Sequence, residues 1–149
     1  MAGVAHGQAA NVYVTQSGSA TGSCTGTPLL SAAGFNTAAN WGTAAGKIGP
    51  GTKVHLCGTF TGTAGAGMLT AQGSGTSGHP ITILFEAGTV FKAPYWTGNS
   101  GAINVTNRSY IVVDGGTNGV IENTLNGSSG AACLGGSCAY HQSSRAIYA

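Results

Sequence analysis

Short apolar segments alternate with glycine-rich turns along most of this chain. Residues 11–16 (NVYVTQ) alternate two valines with Tyr13 and Thr15, and this period of two predicts a β-strand. After residue 51 no helical period appears, and clusters of Gly, Ser, Thr and Asn separate the apolar segments from one another. The pattern therefore predicts an all-β domain that follows a short N-terminal region of different character.

The predicted strands recur at a regular distance. Besides residues 11–16, we expect strands at residues 53–57, 68–71, 81–86, 89–92, 102–105, 110–114, 119–122 and 145–148. Equivalent positions near Val54, Ile83 and Ile111 are about thirty residues apart, a period typical of solenoids and propellers. Near-continuous apolar strands such as ITILF and YIVV favour a parallel ladder over the antiparallel hairpins of a propeller blade. We therefore predict a parallel β-helix of about three coils.

One amphipathic helix is predicted before the first coil, at residues 28–41. Thr27 is a suitable N-cap, and Pro28 suits the first turn. The first coil of a β-helix exposes an open strand edge, which promotes aggregation unless another element covers it. We expect the apolar face of this helix, with Phe35 and Trp41, to cover that edge.

Charged residues are rare: only 5% of the chain is Asp, Glu, Lys or Arg, whereas 42% is hydrophobic. The five basic and three acidic residues give a formal charge of +2, and the basic residues are scattered. Scattered cations do not neutralise several phosphates together, so the composition excludes nucleic acid as a partner. No apolar segment approaches the ~20 residues of a membrane span. A neutral or weakly charged partner suits this surface better.

The N-terminus and the cysteines indicate export. Residues 1–10 have the small residues of a signal-peptidase site without its basic and apolar parts, so we interpret them as an export-signal remnant or a flexible arm. Residues 11–149 then form a single domain of a secreted, extracellular or periplasmic protein. Four cysteines in such a chain favour disulfides, and of the three possible pairings we prefer Cys24 with Cys57 and Cys133 with Cys138.

Four segments are similar to the pectate-lyase-like family of right-handed parallel β-helices: NVYVTQSGS, IGPGTKVHLCGTFTG, GSGTSGHPITILFEAGTVFKAP and SYIVVDGGTNGVIE. The first resembles the family's entry strand, the second its opening coil after a capping helix, and the last two its successive coils. The resemblance covers most of residues 11–122. It implies a right-handed parallel β-helix with a short N-terminal capping α-helix, in a secreted protein that holds a polysaccharide along its parallel face. Members differ greatly in reaction, so the resemblance implies a fold more specifically than a chemistry.

The chain has few residues for the chemistry of that family, whose lyases use clustered acids to hold calcium and whose hydrolases use several Asp residues. Its acids are Glu86, Asp114 and Glu122, so a calcium site would depend on backbone carbonyls and water, and we expect no cofactor and no metal. Glu86 and Asp114 end equivalent strands and would lie one ladder step, about 4.8 Å, apart as an acid–base pair. The alternative, which we favour, is two turn residues that accept backbone hydrogen bonds.

Five further side chains are singled out. Lys92 aligns with Glu122 one coil away, and an ion pair between them would be exposed and weak. Tyr95 and Trp96 lie in a predicted turn, where exposed rings would stack on sugars, although we favour their packing over the side of the coil. His55 alternates outward on its strand and is interpreted as a surface residue.

These observations lead to one hypothesis and two alternatives. We expect the N-terminal part of a secreted carbohydrate-active β-helix, similar to polysaccharide lyases and hydrolases. In it, residues 11–149 are non-catalytic, have a structural and glycan-binding role, and are followed by further coils. The first alternative is a structural or adhesive module that self-associates edge to edge through an open C-terminal edge. The second is a small glycan-cleaving enzyme that uses Glu86 and Asp114.

Overall fold

A computed structural model describes residues 9–96, 100–124 and 146–149 of the chain. Strands account for nearly all of the regular structure in these residues. In chain order the elements are β1 (Asn11–Thr15), β2 (Leu29–Ser31), α1 (Ala32–Phe35), a 3-10 turn (Ala38–Asn40), β3 (Lys53–Leu56), β4 (Thr59–Thr61), β5 (Leu69–Thr70), β6 (Ile81–Phe85), β7 (Val90–Ala93), β8 (Ile103–Asn104), β9 (Ile111–Asp114), β10 (Val120–Asn123) and β11 (Ile147–Tyr148). The predicted all-β class is confirmed for this part of the chain.

The strands form three sheets, and every pairing between them is parallel. A five-stranded sheet has the order β2-β1-β3-β6-β9, and two three-stranded sheets have the orders β10-β7-β4 and β11-β8-β5. Each group of three consecutive strands from β3 onward therefore contributes one strand to each sheet. Val54 lies beside Ile83, and Ile83 lies beside Val113. The expected equivalence of Ile83 with Ile111 is wrong by two residues, because Ile111 pairs with Ile81.

Alternating apolar side chains build one continuous core between the sheets. In β6 the buried residues are Ile81, Ile83 and Phe85, and the two residues between them are only partly buried. Inside the core the rings of Phe60 and Phe91, on neighbouring strands, stack at a centroid distance of 4.3 Å. The period of two in the sequence thus marks which side of each strand is buried.

The predicted bounds of the N-terminal helix, residues 28–41, are wrong. Its first part is strand β2, which pairs with β1, and the α-helix itself has only four residues, from Ala32 to Phe35. Ser31, not Thr27, caps this helix, because its Oγ accepts a hydrogen bond from the Gly34 N–H at 3.0 Å. The amphipathic pattern predicted a helical turn at residues 29–31. These residues instead form backbone hydrogen bonds with β1, so a tertiary contact overrides the local helix propensity.

The N-terminal edge of the three sheets is nevertheless covered, as expected. Strand β2 closes the five-stranded sheet, and side-chain amides cover the other two. The Asn36 amide donates to the Met68 carbonyl at 2.8 Å and accepts from the Thr70 N–H at 2.7 Å, as a neighbouring strand would. The Gln16 Oε1 accepts from the Thr61 N–H of β4 at 2.9 Å. Backbone groups at the sheet edge that would otherwise pair with another strand therefore have side-chain hydrogen-bond partners.

Phe35 and Trp41 fill the space behind these amides. Phe35 is fully buried, the two rings meet edge to face with centroids 4.9 Å apart, and the Trp41 Nε1 donates to the Phe35 carbonyl at 2.6 Å. Their predicted position at the covered end is confirmed. A disulfide joins Cys24 to Cys57, as predicted, and both residues are buried. The second predicted pairing, Cys133 with Cys138, lies outside the described residues.

Candidate functional site

The exposed side of the five-stranded sheet carries two rows of side chains. Each row consists of residues that pair with one another across β1, β3, β6 and β9. We call this surface the outer face. Its residues are Asn11, Tyr13, Lys53, His55, Thr82, Leu84, Val112 and Asp114. The side chains between them in β1, β3 and β6 are buried, so the alternation of the strands determines the composition of this face. Within each row, neighbouring residues lie on adjacent strands and are about 4.8 Å apart.

His55 is the centre of a contact cluster on the outer face. Its Nδ1 lies 2.5 Å from the Glu86 Oε1, and its Nε2 lies 2.9 Å from the Asn11 Oδ1. Its ring stacks on that of Tyr13, with centroids 4.8 Å apart and planes 18° apart. A carboxylate oxygen only accepts hydrogen bonds, so in the contact with Glu86 the His55 Nδ1 is the donor. Two neighbours from strand β1 and the residue after β6 therefore hold this ring.

The backbone of Gly26 packs closely against the Tyr13 ring. A Cβ added to Gly26 would lie 2.2 Å from the Tyr13 Cε2, so only glycine permits this close approach. Beside the ring is an open groove of about 510 Å³, lined in part by Asn11, Tyr13, Thr27 and Pro28. The aromatic and amide groups of the outer face thus border a space that is accessible from solvent.

The outer face is suited to hydrogen bonding with hydroxyl groups. It offers the amide of Asn11, the hydroxyl of Thr82, the ammonium of Lys53 and the imidazole of His55. The side chains of His55 and Glu86 are 15% and 25% exposed, so both contact solvent while their geometry stays fixed by neighbours.

The predicted acid–base pair is not brought together in one row. Asp114 pairs with Leu84, whereas Glu86 comes two residues later on the neighbouring strand and contacts His55 instead. The Asp114 Oδ1 accepts a hydrogen bond from the Gly116 N–H at 2.9 Å, which is the turn role that we favoured for it. The expected placement of these two carboxylates side by side is therefore wrong, and their role in catalysis stays a prediction.

The predicted sugar-stacking pair is only partly accessible. Trp96 is 1% exposed, so its ring has no free face for a sugar, and Tyr95 is half-buried. This packing over the side of the coil is the interpretation that we favoured. The register of Lys92 with Glu122 is confirmed, since the two residues are paired on β7 and β10.

Sequence reasoning missed the importance of His55 and Tyr13. His55 is predicted to point outward from its strand and Tyr13 to lie in an alternating strand, but neither prediction names a partner. The available signal was the extra residue after β6: Glu86 continues the ladder, because its N–H donates to the Leu56 carbonyl at 3.0 Å, and this places its carboxylate within reach of β3.

Two searches of the described residues concern metal ligands and membrane-spanning helices. They contain no group of three or more His, Cys, Asp or Glu side chains that would hold a metal ion. None of the helices in this part of the chain has the length and apolar character of a membrane span. Comparison with known proteins finds no matching family model, no matching curated protein and no matching solved structure.

Proposed function

We propose that this chain is the N-terminal part of a secreted, carbohydrate-active, right-handed parallel β-helix of the pectate-lyase-like type. What supports the fold is the repeated order of strands, one per sheet in each group of three, with parallel pairing throughout. Parallel strands joined by crossover connections are right-handed in almost all known cases. The four sequence segments that resemble the family fall on β1, β3, β4, β6, β7, β9 and β10. The buried Cys24–Cys57 disulfide suits an oxidising compartment.

The proposed role of the described residues is to bind a neutral polysaccharide on the outer face. The observation that carries this proposal is the His55 cluster, in which Asn11, Tyr13 and Glu86 hold a partly exposed ring beside an open groove. Aromatic rings pack against the apolar faces of sugars, and amide, imidazole and hydroxyl groups exchange hydrogen bonds with sugar hydroxyls. The scarcity of charge in the chain favours an uncharged polymer over a polyanion.

Binding to defined polymers tests this role. The whole chain, made in an oxidising compartment, would be titrated calorimetrically with a soluble β-glucan, a galactomannan and a xylan, and with polygalacturonate as the charged polymer. We expect binding to at least one neutral polymer and about tenfold weaker binding for His55→Ala, because the variant removes both a hydrogen-bonding group and a ring.

Glu86→Gln has a matched control in Glu122→Gln, since Glu122 is an exposed acid on a different sheet. Glu86→Gln should weaken binding several-fold, whereas Glu122→Gln should leave affinity within about twofold of the original protein. Absence of binding to every neutral polymer, or an equal loss in the two Gln variants, would contradict the proposed site.

A further inference from the structure

Tyr110 combines two features that are uncommon together. Among the residues that the structure describes, it is the most exposed of the large hydrophobic side chains, at 56%, and its backbone has a φ of 54°. Positive φ is unfavourable for a bulky residue, because its Cβ approaches the following carbonyl, and Gly or Asn adopts this conformation at lower cost. An exposed ring does not recover that cost through burial in the core. Burial of the Tyr110 side chain therefore does not offset the cost of its backbone conformation.

The backbone around Tyr110 is held in place by the preceding corner of the chain. The Tyr110 carbonyl accepts a hydrogen bond from the Ile81 N–H at 2.9 Å, and the Gly75 N–H donates to the Ser109 carbonyl at 3.0 Å. The Ser109 N–H donates to the Ser74 Oγ at 3.1 Å. A Cβ on Gly75 would lie 2.4 Å from the Tyr110 carbonyl oxygen, so glycine is required for this approach. The position of Tyr110 is thus fixed although its ring is exposed.

Tyr110 immediately precedes β9, the strand at the opposite end of the five-stranded sheet from β2. Alternate residues of β9, Val112 and Asp114, belong to the outer face. Tyr13 lies in the same row as Asp114, three strands away. Three strand spacings are about 14 Å. An aromatic residue therefore stands near each end of a surface whose middle offers Lys53 and Thr82.

We propose that Tyr110 is a sugar-binding residue, whose ring stacks on one unit of a neutral polysaccharide that lies across the outer face. This inference rests on the proposed function and extends the site from the His55 cluster to β9. Strained backbone conformations in folded proteins concentrate at functional sites, and a rigid, exposed tyrosine provides contact area at little cost in conformational entropy. Tyr110 holds one unit of the polymer at β9, and the His55 cluster holds units on the other side of the sheet.

Three substitutions separate a binding role from a structural one. With the neutral polymers named above, Tyr110→Phe keeps the ring and should retain affinity within about twofold, whereas Tyr110→Ala and Tyr110→Gly should lower it about tenfold. Tyr110→Gly also relieves the unfavourable φ, so its melting temperature should equal or exceed that of the original protein. Val120→Ala is the matched control, because Val120 is also an exposed apolar residue but lies on another sheet.

The outcomes distinguish this inference from the proposed function. If Tyr110→Ala binds normally while His55→Ala does not, the site at His55 stands and the stacking role of Tyr110 is overturned. If Tyr110→Gly loses both affinity and thermal stability, or if Val120→Ala loses as much affinity as Tyr110→Ala, the role is structural or unspecific and the inference fails. If the original protein binds none of the neutral polymers, both proposals fall.

Discussion

Asn36 is predicted to stabilise the covered end of the sheets through its side-chain amide alone. The amide donates to the Met68 carbonyl and accepts from the Thr70 N–H, so it occupies the place of a missing strand beside β5. Asn36→Ala removes both hydrogen bonds and leaves the two backbone groups without this partner. Because Met68 and Thr70 are half-buried, water replaces the amide only in part.

The expected loss in the free energy of unfolding follows from these two hydrogen bonds. A hydrogen bond lost at a partly buried site costs about 1 kcal/mol, so the two together should lower the free energy of unfolding by about 2 kcal/mol. For a chain of this size, a loss of that order lowers the melting temperature by about 4–8 °C. Urea unfolding followed by tryptophan fluorescence would measure the loss, since Trp41 is packed directly behind this end of the sheets.

Asn36→Asp gives the same prediction a pH dependence. The introduced carboxylate still accepts from Thr70 but opposes the Met68 carbonyl, so its pKa in the folded protein should lie above the ordinary value of about 3.9. A group with a raised pKa in the folded state contributes stability at low pH and loses it as the pH rises through that pKa. Relative to the original protein, Asn36→Asp should therefore be least stable at neutral pH and recover toward pH 3, where the carboxyl group donates again.

Asn118→Ala and Asn118→Asp are the matched controls, because Asn118 lies in an exposed turn. Both should change the free energy of unfolding by less than about 0.5 kcal/mol. The reasoning is refuted if Asn36→Ala is as stable as these controls, or if the stability difference of Asn36→Asp does not depend on pH.

Two further substitutions test the disulfide and the support of the outer face. Replacing Cys24 and Cys57 together with Ala should lower the free energy of unfolding by about 4 kcal/mol, because the bond closes a segment with a sequence separation of 33 residues; denaturant titration of the reduced original protein should give a similar loss. Gly26→Ala should cost about 1–3 kcal/mol by displacing the Tyr13 ring, whereas Gly115→Ala, which meets no atom within 4 Å, should be neutral in thermal melts.

The strand pattern could be predicted from the sequence, but the exact register could not. Buried and less buried positions alternate in β3 and β6 as their residues indicate, whereas in β1 the alternation ends at Thr15, which is buried like Val14. The register depends on the loops, which differ between successive groups of strands. Leu69 follows Phe60 by nine residues, whereas their partners Ile103 and Phe91 are twelve residues apart. Such differences shift the apolar segments relative to one another, so aligning Ile83 with Ile111 by similarity gave an error of two residues.

The helix bounds and the contacts of the site were not predicted for a related reason: both depend on contacts between segments that are distant in the sequence. Residues 29–31 have a pattern compatible with a helix, yet β1 offers them backbone partners that local sequence does not reveal. His55 was correctly expected to point outward, but its contacts with Asn11 and Glu86 span separations of 44 and 31 residues. A pattern with period two predicts the face of a strand, and only the register determines which residues meet on that face.

The two ends of the sheets differ, and this difference determines where another strand can add. At the first end β2, the Gln16 side chain and the Asn36 amide meet the edge groups of the three sheets. At the other end the inward residue Ile147 is 41% exposed, although its partner Ile103 is fully buried. Apolar side chains of a strand gain burial only when a further strand covers them. In the described part of the chain, a further coil that paired with β9, β10 and β11 would bury the Ile147 side chain and would extend the outer face from the side of Tyr110.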